Sequence, residues 1–133
     1  MSRGLTNCNP GNIRQSKVRY KGEVRPSRDP AFKQFESLAW GYRAVFMLLH
    51  TYRVRHGLQT IREMISRWAP PSENHTEAYI RAVAAATGID PDEALDTLDP
   101  ATMVPVAAAI SRVENGTDAD RDEIRRGWEL FTT

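Results

Sequence analysis

The feature that most constrains this fold is a series of helix-start and helix-stop signals that divides residues 37–131 into short helical segments. Ser37 can cap a helix that runs to about His56, and Gly57 can end it. Apolar residues recur at helical spacing within this segment. The same signals predict further helices over residues 60–68, 75–87, 101–114 and 120–131.

One more helix start is predicted at residues 90–93, where the sequence Asp-Pro-Asp-Glu combines a cap, a first-turn proline and acids at the positive end of the helix dipole. Residues 1–36 differ, since they are rich in Asn, Gly, Pro and Arg. Residues 13–20 and 32–35 are predicted to be short strands or extended pieces, joined by a turn at Lys21-Gly22.

These patterns predict a mainly α (α+β) fold, with a helical domain and a small N-terminal β element. A length of 133 residues fits one domain, so residues 1–133 are expected to form a single unit. Cys8 is the only cysteine and cannot form an internal disulfide, so packing alone must stabilise the fold. The expected core comprises Phe46, Leu49, Ile61, Ile65, Ile80, Val83, Val106, Ile110 and Trp128.

The charges are divided unevenly along the chain although the net charge is only +1. Residues 1–70 contain 13 Lys and Arg against four Asp and Glu, whereas residues 71–133 contain five against 13. The two halves could neutralise each other, or the first half could present a basic face to a polyanion. Nucleic acid is the less favoured polyanion, because the sequence lacks an RNA-binding aromatic pattern, a helix-turn-helix and a zinc finger.

Two polar segments could carry chemistry. Residues 9–14, with the sequence NPGNIR, could be a simple turn or a loop that offers amides to sugar hydroxyls. Residues 68–79 place Trp68 and Tyr79 around a Pro-Pro loop, which could form a wall for a sugar face. The structural alternative for this segment is an ordinary helix start with its acids at the dipole.

Glu114 is the third candidate, because it ends an apolar, alanine-rich helix where the dipole disfavours a negative charge. Partial desolvation would also favour the protonated carboxyl, which suits a general acid. The alternative is an exposed Glu114 paired with an arginine. The three histidines show no metal-ligand spacing, so we expect neither a metal nor an organic cofactor.

Taken together, these segments resemble a family of small phage and prophage lysozyme-like proteins, which includes virion or structural proteins and endolysins. The shared motifs are NPGNIR at residues 9–14 and RWAPPSENHTEAY at residues 67–79. Shorter matches follow in the same order along nearly the whole chain. Cys8 departs from the family pattern, in which asparagine is expected.

A more distant resemblance is to glucosaminidases and lytic transglycosylases, in which a helix ending in the catalytic glutamate precedes an Asn-rich segment. Residues 9–14 are similar to that segment, and residues 68–79 are similar to the final loop and helix of those enzymes. The helix that ends in Glu114 comes after both. The resemblance thus implies a circular permutation, in which residues 101–116 fold back beside residues 7–14.

The resemblances imply cleavage of peptidoglycan glycan strands by a muramidase (lysozyme) or a lytic transglycosylase, acting as an endolysin or a virion-associated lysin. Glu114 would be the general acid, Glu73 the first candidate for a second catalytic carboxylate, and Glu36 a further one. The alternative is a non-catalytic virion structural protein or peptidoglycan-binding module. The residues expected to bind substrate are Asn9, Asn12, Arg14, Trp68, Asn74, Thr76 and Tyr79.

The first residues contain no apolar stretch of the kind found in a Sec signal peptide, and no apolar run approaches the length of a membrane span. We therefore expect synthesis in the cytoplasm of a bacterial host. Action in the periplasm or cell wall would then require a holin, a virion or a secretion system for delivery.

Overall fold

A computed structural model describes residues 1–71 and 75–133 of the chain, and it shows a mainly helical protein with one small antiparallel sheet. The helices and strands, in chain order, are α1 (Arg3–Thr6), β1 (Glu23–Val24), β2 (Gln34–Phe35), α2 (Leu38–His56), α3 (Ile61–Trp68), α4 (Thr76–Thr87), α5 (Pro100–Asn115) and α6 (Arg121–Thr132). This architecture confirms the predicted fold class.

Capping side chains explain where most of these helices begin. The Ser37 hydroxyl accepts a hydrogen bond from the backbone of Trp40 at the start of α2, and Asp99 accepts one from Ala101 at the start of α5. Thr60 and Asp120 act in the same way for α3 and α6. Glycines in the left-handed conformation end α2, α4 and α5, as their positions in the sequence predict.

The core lies around α2, which packs along α6 and also contacts α5. Eight of the nine predicted core residues are buried. The ninth, Trp128, is partly buried and meets the ring of Phe46 edge-on at a centroid distance of 4.9 Å. Helix α4 packs between α3 and α5, so the end of α5 is brought close to the start of α4.

Of the two forms predicted for residues 13–20, the structure has the extended piece and not the strand. In this stretch only Arg14 pairs, through an isolated bridge to Phe32, and β1 begins after the Gly22 turn. Residues 14–19 are all exposed, so no apolar face stabilises a strand there. The carbonyls of Ser16 and Val18 accept hydrogen bonds from the buried ammonium of Lys33.

The helix predicted at residues 90–93 is wrong, because this segment forms turns. The Asp90 side chain caps only the backbone of Asp92. The chain then extends so that the Leu95 backbone can bond to the Gln59 carbonyl at 2.7 Å, and the Leu95 side chain is buried. Burial of this leucine in the core outweighs the local helix signal.

Within the described residues, no helix is both long enough and apolar enough to span a membrane.

Candidate functional site

The N-terminal segment folds against the end of α5 and fixes the region around Glu114. Ser2 donates a hydrogen bond to Asn115 Oδ1 at 2.6 Å, and the Asn115 amide donates to the Pro10 carbonyl at 2.9 Å. The short helix α1, which the sequence did not predict, also packs on α5. The end of α5 therefore lies beside residues 7–14 in space.

Glu114 is partly buried, and each of its carboxylate oxygens accepts a hydrogen bond from a different part of the chain. The Asn12 amide donates to Oε1 at 2.9 Å, and the Tyr79 hydroxyl donates to Oε2 at 2.9 Å. Three segments that are distant in sequence thus converge on one carboxyl group. Both donors are neutral, so they orient this group without forming an ion pair.

Tyr79 keeps its proton in this arrangement. Burial of the side chain raises the pKa of Tyr79 well above its ordinary value, and the negative charge of Glu114 and the hydrogen bond to it raise the pKa further. The hydroxyl is therefore a permanent donor at physiological pH. Tyr79 lies on α4 and its ring is buried, so the position of the hydroxyl is fixed by the helix and its packing.

The loop that contains Asn12 is held from below by Asn9. The Asn9 side chain is fully buried, donates to the carbonyls of Ile13 and Lys33, and accepts from the backbone of Ile13. Asn12 has a φ of 49°, in the left-handed region that asparagine tolerates better than most residues. Asn9 therefore shapes the loop, whereas Asn12 presents its amide to Glu114.

Trp68, the last residue of α3, packs on the same loop. The indole nitrogen donates to the Gly11 carbonyl at 3.2 Å. A Cβ atom on Gly11 would lie only 2.6 Å from the Trp68 ring, so this close approach requires glycine. The NPGNIR loop and Trp68 consequently lie on the same side of the fold.

A groove with a volume of about 370 Å³ lies between the loop and α3. A second depression of about 310 Å³ lies on the α4 side, and Glu114 lines both. The groove is rich in aromatic and aliphatic surface, which suits the face of a sugar ring. Its principal side chains are Asn12, Arg14, Tyr20, Phe32, Tyr52, Arg67, Trp68 and Glu114.

The remaining predicted site residues lie in different places. Arg14 is exposed and lines the groove. Thr76 is buried, and its hydroxyl donates to the Ala69 carbonyl at 2.5 Å, so it ties the start of α4 to the end of α3. Glu73 and Asn74 lie outside the described residues.

Sequence reasoning missed several aromatic residues of the groove. Tyr52 is buried in α2, yet it contributes to the groove beside Trp68 at a centroid distance of 6.2 Å. Phe32 and Tyr20 come from the irregular β region. An aromatic residue at a helical core position gives no separate sequence signal when it lines a cleft as well. Glu36, which the sequence offered as a further carboxylate, is exposed beside β2.

Among residues 1–71 and 75–133, no cluster of three or more His, Cys, Asp and Glu side chains could hold a metal ion.

No protein-family model matches this sequence. The chain is 39% identical over 132 residues to Protein P5 of Pseudoalteromonas phage PM2, and the alignment covers 96% of this chain and 81% of that protein. The chain therefore belongs to the same family as this phage protein. A phage origin fits this relationship.

Proposed function

We propose that this protein cleaves the glycan strands of bacterial peptidoglycan, with Glu114 as the general acid. The observation that carries the proposal is the position of the Glu114 carboxyl, which is held by Asn12 and Tyr79 and lines two depressions. A glycan lying along both depressions would place a glycosidic bond beside this carboxyl. The aromatic surface of the groove would then pack against sugar faces.

The chemical step uses the two donors as well as the acid. Protonated Glu114 donates its proton to the glycosidic oxygen while the bond from that oxygen to C1 breaks and positive charge develops on the sugar ring. Glu114 becomes negatively charged in this step. Asn12 and Tyr79 already point at its two oxygens, so they stabilise the charge as it forms. The group that next attacks C1 returns a proton to Glu114.

The attacking group distinguishes the two candidate reactions. A hydrolase needs a second residue to activate water or to stabilise charge, and Glu73 is the candidate that the sequence offers. Among the described residues that line the two depressions, Glu114 is the only acid. A lytic transglycosylase needs no water, because a hydroxyl of the substrate itself attacks. The proposal includes both reactions.

Mass spectrometry of the products from purified Gram-negative sacculi tests the proposal and separates the two reactions. Hydrolysis leaves reducing ends, whereas attack by an internal hydroxyl leaves anhydro ends that are lighter by one water. Either product supports glycan cleavage. Intact sacculi that retain the protein in a sedimentation assay would instead indicate a non-catalytic peptidoglycan-binding module.

The relationship to a phage protein supports the biological setting of this activity. A phage-type lysin would be made in the host cytoplasm and would act on the cell wall from the periplasm, or it would be carried in the virion. Delivery by a holin, a virion or a secretion system is compatible with this proposal.

A further inference from the structure

The groove beside Glu114 has a positively charged wall that the proposed acid chemistry does not use. Arg67 lies in the groove, with its guanidinium over the ring of Tyr52 at 5.4 Å from the centroid. Arg14 lines the same groove, with its guanidinium over the ring of Phe32 at 5.1 Å. The two cations are thus anchored to aromatic rings on the loop side and the α3 side.

The stacking fixes these cations in a useful orientation. A guanidinium that packs over an aromatic ring is restrained by cation–π attraction, and the N–H groups at its edge keep the planar geometry that matches a carboxylate. Arg67 is exposed, so a ligand can reach it from solvent. Among the described residues that line the groove, Glu114 is the only acid.

We propose that the groove contains a subsite for carboxylate groups carried by the glycan, with Arg67 as its main contact and Arg14 as a second one. Such carboxylates have two sources in peptidoglycan: the lactyl group of N-acetylmuramic acid when it bears no peptide, and the acidic residues of the peptide stem. This inference rests on the proposed function. It predicts selectivity for peptidoglycan strands over a neutral polymer of N-acetylglucosamine.

Binding to the Glu114→Gln protein tests the subsite without turnover of the ligand. Three tetrasaccharide probes are compared by calorimetry: one with free lactyl carboxylates, one with peptide stems attached, and neutral chitotetraose. The carboxylated probes should bind about tenfold more tightly than chitotetraose, as expected for a charge-assisted hydrogen bond. Raising the salt concentration should reduce that preference, because the cations lie near solvent. The better of the two carboxylated probes identifies the source of the carboxylate.

Arg67→Gln in the same background should remove most of the preference and leave chitotetraose binding within about twofold. Arg67→Lys should retain part of it, because the charge remains but the planar fork is lost. Arg14→Gln should have a smaller effect. Arg125→Gln is the matched control, since Arg125 lines a different depression beside Trp128 on α6. Circular dichroism and melting curves confirm that each variant is folded.

Two results would overturn the subsite. One is equal affinity for the carboxylated probes and chitotetraose, and the other is an equal loss of affinity for both kinds of probe in Arg67→Gln. Tighter binding of a single-stranded oligonucleotide than of any glycan would also overturn it. Digestion of sacculi by the wild-type protein is measured separately. Digestion without a carboxylate preference would remove the subsite and leave the proposed function intact. If the carboxylated probes are preferred but sacculi are not digested, the subsite stands and the protein binds peptidoglycan without cleaving it.

Discussion

Glu114 sits at the C-terminal end of α5, where the helix dipole disfavours a negative charge, and its two neutral donors offset that cost. Tyr79 remains protonated because burial raises its pKa well above the ordinary value. The carboxyl is therefore oriented before a substrate arrives. In the proposed reaction this orientation matters most when Glu114 becomes charged.

Replacing Tyr79 by Phe should slow glycan cleavage while the fold is kept. The substitution removes the hydroxyl that donates to Glu114 Oε2 and leaves the buried ring in place. A hydrogen bond to a charged group contributes about 1.5–3 kcal/mol, so kcat should fall about tenfold to a hundredfold with little change in KM. The measurement is release of soluble muropeptides from sacculi, followed across pH.

Tyr52→Phe provides the matched control for that variant. Tyr52 is also a buried tyrosine that lines the groove, and its hydroxyl makes no contact with Glu114. The control should lower kcat much less and should leave the pH profile unchanged. Equal effects of the two variants would mean that Tyr79 acts only as a packing residue.

At the scale of single residues, the sequence predicted the right segments but could not assign a role to every side chain. Asn9 and Asn12 stand in one motif and both suit a polar loop. The structure buries Asn9 under the loop and directs Asn12 toward Glu114. The difference depends on the left-handed φ of Asn12 and on the packing of Gly11 against Trp68, which only the three-dimensional contacts reveal.

Helix α5 is joined to the N-terminal segment mainly through Asn115. Its amide donates to the carbonyls of Pro10 and Ser111, and its Oδ1 atom accepts from Ser2. Gly4 lies close to the same group, because a Cβ atom there would come within 2.5 Å of Asn115 Oδ1. This contact aligns the loop that carries Asn12 with the carboxyl that Asn12 orients.

Asn115→Ala should therefore weaken both stability and activity. Loss of these hydrogen bonds at a partly buried position should lower the free energy of unfolding by about 1–3 kcal/mol. Activity should fall because the Asn12 loop is no longer fixed against α5. Urea unfolding followed by sacculus digestion at a temperature where the variant is fully folded measures the two effects separately.

The control for this variant is Asp118→Ala, which changes an exposed residue just beyond the same helix end. Its ion pair with Arg112 is solvent-exposed, so stability should change by less than about 0.5 kcal/mol. If Asn115→Ala matched this control in both assays, Asn115 would not be the residue that fixes the N-terminal segment against α5.

At the scale of helices and strands, the predictions succeeded where local and long-range signals agree. Helix α2 has a serine cap, helical apolar spacing and a glycine stop, and it spans Leu38–His56 as expected. Residues 90–93 have a strong local helix start, but burial of Leu95 requires an extended path. Helix α1 has four residues, too few for a periodic pattern, and its stability comes from contacts with α5.

One buried carboxylate, that of Asp29, connects several parts of the N-terminal region. Asp29 accepts hydrogen bonds from Arg3, from the Asn7 amide and from the backbone of Ala31 and Phe32. The hydrogen bond from Arg3 is the main reason that the pKa of Asp29 lies well below its ordinary value. Asp29 thus connects α1 to the β region.

This lowered pKa predicts a loss of stability in acid. The ionised form is favoured by the fold, so its full contribution is present above the unfolded pKa of about 4 and declines as the pH falls below that value. Chemical unfolding curves at neutral pH and at about pH 3 should show this decline. Asp29→Asn should melt several degrees lower at neutral pH and should lose less stability on acidification.

Asp118→Asn, at an exposed position, should show the same acid sensitivity as the wild-type protein. Equal acid sensitivity of the wild-type and Asp29→Asn proteins would show that another carboxylate controls acid unfolding. Glu23 is the next candidate, because its pKa is also lowered. Burial of its carboxyl raises the pKa, but hydrogen bonds from Arg25, the Tyr20 backbone and Lys33 lower it by more.

At the scale of the whole chain, the sequence could place Glu114 near residues 9–14 only through the order of motifs, since 102 residues separate Asn12 from Glu114. No local pattern encodes such a contact. Folding of the N-terminal segment against the end of α5 creates it, because Asn115 there is hydrogen-bonded to Ser2 and to the Pro10 carbonyl.

The most direct test of the central claim is the rate of sacculus digestion by wild-type and Glu114→Gln proteins, with a melting curve for each. Glu129→Gln on α6 is the control, because it removes an exposed glutamate that lines a different depression. We expect digestion by the wild type and the control, and a loss of several orders of magnitude in Glu114→Gln without a lower melting temperature. Digestion by Glu114→Gln at the wild-type rate would contradict the central claim.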